Sequence, residues 1–308
     1  MTFELPLEQL RELFGDHLHE NVVMANYTTA HVGGPAAALI PVNSSLELEK
    51  AARSLWKLKV PFRIVGSGAN ILFSDRGYPG VILVNHAHTI KIDSHCAPPV
   101  VWAESGANLG SIARQAALRG LSGLEWAATI PGTLGGAIYG NAGAQAFDIA
   151  STLASVDILQ PDGSKETWNT GQLNFQYRSS ILKRERAETI ILSGRFNLRP
   201  EESKVIQARM DEFANKRKST QPPGASMGST FKNPPDDFAG RLIEAAGLKG
   251  KRVGDVEVSP RHANFFVNVG NASAQDYYKL IRLVQLKVAQ STGVKLDLEI
   301  ELIGDFGE

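Results

Sequence analysis

Five glycines fall between positions 132 and 143, in Ile130-Pro131-Gly132-Thr133-Leu134-Gly135-Gly136-Ala137 and the following Gly140-Asn141-Ala142-Gly143-Ala144. Glycine carries no Cβ, so such a segment, read as one long loop, lets a flat or extended ligand lie against backbone amides. A loop packed tightly between two domains needs the same composition. A second cluster, Gly66-Ser67-Gly68-Ala69-Asn70, directly follows the apolar run Pro61–Val65. It turns N–H groups toward an anion at a strand end, or it is a plain tight turn. Neither motif is a common nucleotide fingerprint. G-x-G-x-x-G would need glycine at position 71, where Ile71 stands, and the Lys-Ser/Thr ending of a P-loop is missing.

Composition removes several classes. The 308 residues carry a formal net charge of zero, so a global field for nucleic acid or an anionic membrane is absent. The single cysteine, Cys96, allows no internal disulfide and no metal pattern, and the seven histidines show no zinc spacing. No apolar stretch approaches the roughly 20 residues that span a bilayer. The start, MTFELPLEQLRELFGDHLHE, lacks the basic lead and apolar run of a secretory signal. The reading is a soluble cytoplasmic chain with no metal, no membrane attachment and no obligate protein partner.

Periodicity gives an α+β chain. Helices are predicted over Leu7–Leu18, from Ser45 to Leu58, over Asn108–Leu118, over Val205–Lys218, over Arg241–Ala246, and from a capping box at Ser273 and Asp276 as far as Gly293. Strands are predicted at Pro61–Val65, Val81–Val84, Val100–Ala103, Val156–Leu159, Thr189–Leu192 and His262–Val269. Val294 to Leu302 alternates apolar and charged residues as one half-buried strand. The main boundary is placed between Arg199 and Gln221, giving a lead-in over 1–32, a first domain over 33–199 and a smaller second one over 200–308.

Taken singly, the polar candidates are quiet. Ser229 in GSTFKNP suits a turn and has no activating histidine nearby. Arg178 in YRSS reads as a surface residue, and Glu299 as one of four charges on the wet face of a strand.

The order of the segments says more. TTAHVGGPA, VGSGANILFSDRGYPGVI, GLEWAATIPGTLGGAIYGNAGA, FQYRSSILK, GSTFKNP, GRLIEAAGLKGKRVGDVEVSPRHANFFVN and LDLEIELIG run from Thr28 to Gly304. In this order they resemble the UDP-N-acetylenolpyruvoylglucosamine reductase family, and the short connection after Arg178 resembles its second type. The resemblance implies an FAD-binding domain of the vanillyl-alcohol-oxidase-like type, followed by a family-specific substrate domain. Gly66, Ser67, Gly68, Ala69 and Asn70, with Pro131, Gly132, Gly135, Gly136, Gly140, Asn141 and Gly143, would then hold FAD. NADPH would be the reductant and UDP-N-acetylglucosamine enolpyruvate the substrate, in peptidoglycan precursor synthesis. Arg178 would orient the enolpyruvyl carboxylate, Ser229 would donate a proton and Glu299 would assist at the carboxylate end. Leu298, Glu301 and His31 depart from the family's usual proline, arginine and arginine. Another FAD oxidoreductase of the same fold, or a UDP-sugar binder without catalysis, would share much of this pattern.

Overall fold

Apolar strands alternating with amphipathic helices bury their faces only as stacked layers. The computed structural model describes residues 4–307. Its first layer is a four-stranded sheet in the order His19–Val23, Pro35–Val42, Tyr78–Asn85, Phe62–Val65. The first pair is antiparallel and the others are parallel. Tyr78–Asn85 is buried from Val81 to Asn85, as a strand covered on both faces requires. The helix Ser45–Lys57 is capped by the Ser44 side chain and lays Leu48, Ala51, Ala52 and Leu55 on this sheet.

The second sheet has five antiparallel strands in the order Lys165–Asn169, Leu153–Leu159, Ile190–Asn197, Val100–Glu104, Ile90–Asp93. The first of these was not predicted, because its Lys-Glu-Thr-Trp-Asn sequence is too polar to announce a strand. The helices Leu109–Ala117 and Leu134–Gly140 share one apolar core with this sheet.

Leu134–Gly140 corrects the reading of residues 130–144 as one long loop. Leu134, Ala137 and Ile138, at i, i+3 and i+4, are buried on one face. Burying the two large side chains contributes roughly 1.5–3 kcal/mol each. Glycine inside a helix costs about 1 kcal/mol relative to alanine, so burial outweighs Gly135 and Gly136.

The third sheet is antiparallel, in the order Ala225–Ser229, Phe265–Asn268, Val256–Val258, Arg252–Val253. Helices Ala239–Ala245 and Ala274–Thr292 pack into its core. The predicted capping box at Ser273 and Asp276 is present, and Tyr277, Leu280, Ile281, Val284 and Val288 form the buried stripe. Beyond Gly293 the expected single strand is divided. Leu298 bridges Phe231, and only Glu301–Ile303 is a strand, parallel to Ile71–Phe73. The alternation survives as burial of Leu296 and Ile300, because the segment leaves one packed unit and ends in the other.

The predicted lead-in and the loops of the first half are also stitched to the second. Ala30, Val32 and Leu72 belong to the core of the third sheet. The Asp75 carboxylate accepts the N–H groups of Ala274 and Gln275, at 2.9 and 2.8 Å, where the long helix begins.

Candidate active site

The loop 66–70 leaves the end of Phe62–Val65 and turns at Gly68, whose φ is +62°. A Cβ at Gly68 would sit 2.0 Å from the Tyr27 carbonyl oxygen, and one at Gly66 would sit 2.3 Å from Thr133 Oγ1. These glycines therefore let the loop press against its neighbours. No backbone acceptor among the described residues takes the N–H groups of Ser67, Gly68 and Ala69, so they can serve a ligand.

The glycines of the helix Leu134–Gly140 divide by direction. A Cβ at Gly135 would sit 3.1 Å from Ser105, and one at Gly143 would run into Phe147 and Asp148. A Cβ at Gly132 or Gly140 meets nothing within 4 Å, and one at Gly136 meets only Thr133 Oγ1 at 3.7 Å. Spaced four apart, these three leave a bare, open stripe along the helix and its entry. A stripe without side chains beside a loop with free N–H groups fits a flat cofactor that carries a diphosphate. Asn141, in the left-handed region, spends its buried side chain on Asp148, Gln176 and Ala150.

Arg178 occupies a tight turn in which Gln176 and Ser179 exchange backbone hydrogen bonds of 2.9 and 3.0 Å. Its φ of +54° is a region where glycine is the usual residue, and holding arginine there costs of order 1–3 kcal/mol. The guanidinium donates from Nε to Glu299 Oε1 at 2.9 Å and from Nη2 to the Gly143 carbonyl at 2.8 Å. It is three-quarters buried, not the surface residue its local sequence suggests. Ser180 Oγ donates to the Tyr139 carbonyl at 2.7 Å, pinning the turn to the glycine helix.

Ser229 ends the strand Ala225–Ser229 beyond an irregular register. The next residue, Thr230, gives its carbonyl to the Glu299 N–H at 2.9 Å. The Glu299 carbonyl accepts Asn70 Nδ2 at 3.1 Å and Lys183 Nζ at 3.3 Å. Glu299 thus joins the glycine loop, the Arg178 turn and the residue beside Ser229. Its side chain turns into this site, whereas Lys295 and Asp297 earlier on the same polar face stay exposed. Burial pushes the Glu299 carboxyl above the usual carboxylate range, while Arg178, Lys183 and Lys232 pull it back.

Glu301, the acid that departs from the family pattern, is paired with Lys183 at 2.6 Å. Lys183 escaped notice because nothing in the local run ILK marks it out. Its importance lies entirely in contacts 116 residues or more away.

Comparison with known proteins now defines the class. Residues 35–168 match the family described as FAD binding domain, and residues 219–303 match the UDP-N-acetylenolpyruvoylglucosamine reductase C-terminal domain. An α+β chain with that cofactor domain and this constellation is an FAD-containing oxidoreductase. It belongs to the UDP-N-acetylenolpyruvoylglucosamine reductase family. The Chloroflexus aggregans reductase of that name is 42% identical over 93% of this chain and 97% of its own. The Symbiobacterium thermophilum UDP-N-acetylenolpyruvoylglucosamine reductase 2 is 38% identical, over 96% of each chain. The crystal structure of the Thermus caldophilus enzyme superposes with a TM-score of 0.78 at 36% identity, covering 92% of this chain and 98% of that one.

Proposed function

We propose that this chain reduces UDP-N-acetylglucosamine enolpyruvate to UDP-N-acetylmuramate at the expense of NADPH, in peptidoglycan precursor synthesis in the cytoplasm. The observation that carries the reading is the linkage of Arg178, Glu299 and the Ser229–Thr230 corner beside the bare glycine stripe. Residues 33–199 would form the cofactor part and residues 200–308 the substrate part. The loop Gly66–Asn70 and the segment from Pro131 to Gly143 would hold FAD. Bound there, FAD would supply two-electron chemistry, with NADPH as the reductant and the vinyl carbon C3 of the substrate as the hydride acceptor.

The protein's own residues then manage charge and one proton. Addition of hydride at C3 leaves negative charge on C2 and its carboxylate. The fixed Arg178 guanidinium stabilises that charge, more strongly in a desolvated site than in water. C2 is basic enough to take the proton of a serine hydroxyl, which we assign to Ser229 Oγ. Glu299 serves best in its protonated form, as a hydrogen-bond donor, because a bare carboxylate would oppose the developing charge. Its raised pKa supports that role. The sign of the pH dependence follows. Substrate reduction declines as pH rises through the Glu299 pKa, and Glu299→Gln removes this alkaline limb while lowering the plateau.

The purified protein should carry FAD without a covalent link, since no histidine or cysteine lies in the proposed cradle. Heat or acid should release the yellow colour into the supernatant. Colour that stays with the precipitate, or protein that FAD cannot reconstitute, contradicts the assignment. Gly140→Val locates the cofactor. The valine side chain meets no protein atom near its Cβ, so the circular dichroism spectrum should stay normal while bound FAD falls at least tenfold. Full FAD content in the folded variant would move the cofactor off this stripe. Incubating the yellow protein with NADPH and the enolpyruvyl UDP-sugar, and following nucleotide absorbance, tests the reaction itself.

A further inference from the structure

Two cations and two acids form a ladder at the centre of the site. Arg178 and Lys183 come from one short stretch, the turn 176–179 and the helix Ile181–Arg184. Glu299 and Glu301 come from another. Arg178 pairs with Glu299 at 2.9 Å and Lys183 with Glu301 at 2.6 Å. Lys183 also reaches the Glu299 carbonyl at 3.3 Å. The Lys183 side chain is 14% exposed, less than that of Arg178 or Glu299, and that of Glu301 is 38% exposed, so the lysine is the most enclosed member of the ladder.

We propose that Lys183 is a positioning residue that sets the pH range of the reaction inferred above: it cancels the Glu301 charge so that Arg178 has one acid partner, Glu299. Without Lys183, Glu301 would be a free carboxylate two residues from Glu299. It would compete for the Arg178 guanidinium and would discourage ionisation of Glu299. The charged groups acting on the Glu299 carboxyl are Arg178 from the turn, Lys183 from the short helix and Lys232 after the strand Ala225–Ser229, and Lys183 in turn holds Glu301. Burial pushes the Tyr139 hydroxyl up on the glycine helix, and the Glu301 charge adds to that while Arg63 and Arg186 oppose it.

The test is a carbon-13 NMR titration of the Glu299 carboxyl in the protein as isolated, with the signal assigned by its loss in Glu299→Gln. Lys183→Met should raise the Glu299 pKa by about one unit, the lower end of what a nearby charge does. Glu301→Gln should move it in the opposite direction, because the Lys183 ammonium is then uncompensated. The double variant should return near the wild-type value, and Lys183→Arg should leave it there. The alkaline limb of substrate reduction should move with the titration in each variant. Equal Glu299 titration in wild type, Lys183→Met and Glu301→Gln overturns the proposal, as does a double variant no closer to wild type than Lys183→Met. If Lys183→Met fails to fold, Glu301→Gln alone decides by the sign of its shift. The NMR readout needs no substrate, so a wild-type protein that titrates as described but does not reduce the enolpyruvyl sugar refutes the functional reading alone.

Discussion

Ser229→Ala is expected to leave reduction of bound flavin by NADPH near its normal rate and to slow reoxidation by the enolpyruvyl UDP-sugar by about 10²–10⁴, the usual contribution of a positioned general acid. The variant should fold. Ser229 is held through its backbone pairing with Phe265, and the following Thr230 and Phe231 are fixed by Asn264. Removing one hydroxyl from a half-buried strand end disturbs none of these bonds. Substrate affinity should change little, because the hydroxyl acts as charge builds on C2 and is not needed before then. Ser229→Cys should recover part of the rate, since a thiol also donates a proton. Rapid-mixing absorbance separates the two half-reactions. Equal slowing of both would make Ser229 structural and send the search for the proton donor elsewhere.

Arg178→Lys should cost about 10²–10³ in substrate reduction, comparable to removing one preorganised donor from a site that stabilises an oxyanion. Lysine keeps the charge but cannot donate to Glu299 Oε1 and the Gly143 carbonyl from one planar group. The ammonium would settle on one of these acceptors, so the bond to Glu299 or the bond to Gly143 would be lost. The backbone at this position is already in the left-handed region, so lysine adds no new backbone strain and the fold should persist. Reduction of flavin by NADPH and the visible spectrum should remain normal. Near-wild-type turnover would remove Arg178 from the mechanism. A collapse of the flavin spectrum would mean that its main task is to hold the glycine helix.

Both expectations depend on neighbours that local sequence does not reveal. YRSS has no periodicity that would bury an arginine, yet Arg178 is three-quarters buried and meets Glu299 from 121 residues away. LDLEIELIG shows its alternation plainly, and Leu296 and Ile300 are buried as that alternation requires. Its polar face was read as wet because period two distinguishes the faces of a strand without saying what covers the second one. The glycine segment failed as a loop for a related reason. Its glycines report where backbone must be bare, while Leu134 and Ile138 report where it must be buried, and both demands are met only by a helix packed on the five-stranded sheet.

The amino-acid sequence by itself determined the helices with strong apolar stripes, the capping box at Ser273, the absence of a common dinucleotide fingerprint, and, through the order of its motifs, the family. Those features are local or collinear, so each is complete within a short stretch of chain. Tertiary structure alone decided which glycines face open space, that Arg178 meets Glu299, that Lys183 meets Glu301, and that Asp75 caps a helix 199 residues away. Charges act through space rather than along the chain. Their partners, and with them the upward push on the Glu299 carboxyl, became definite only when the two halves of the molecule closed on each other.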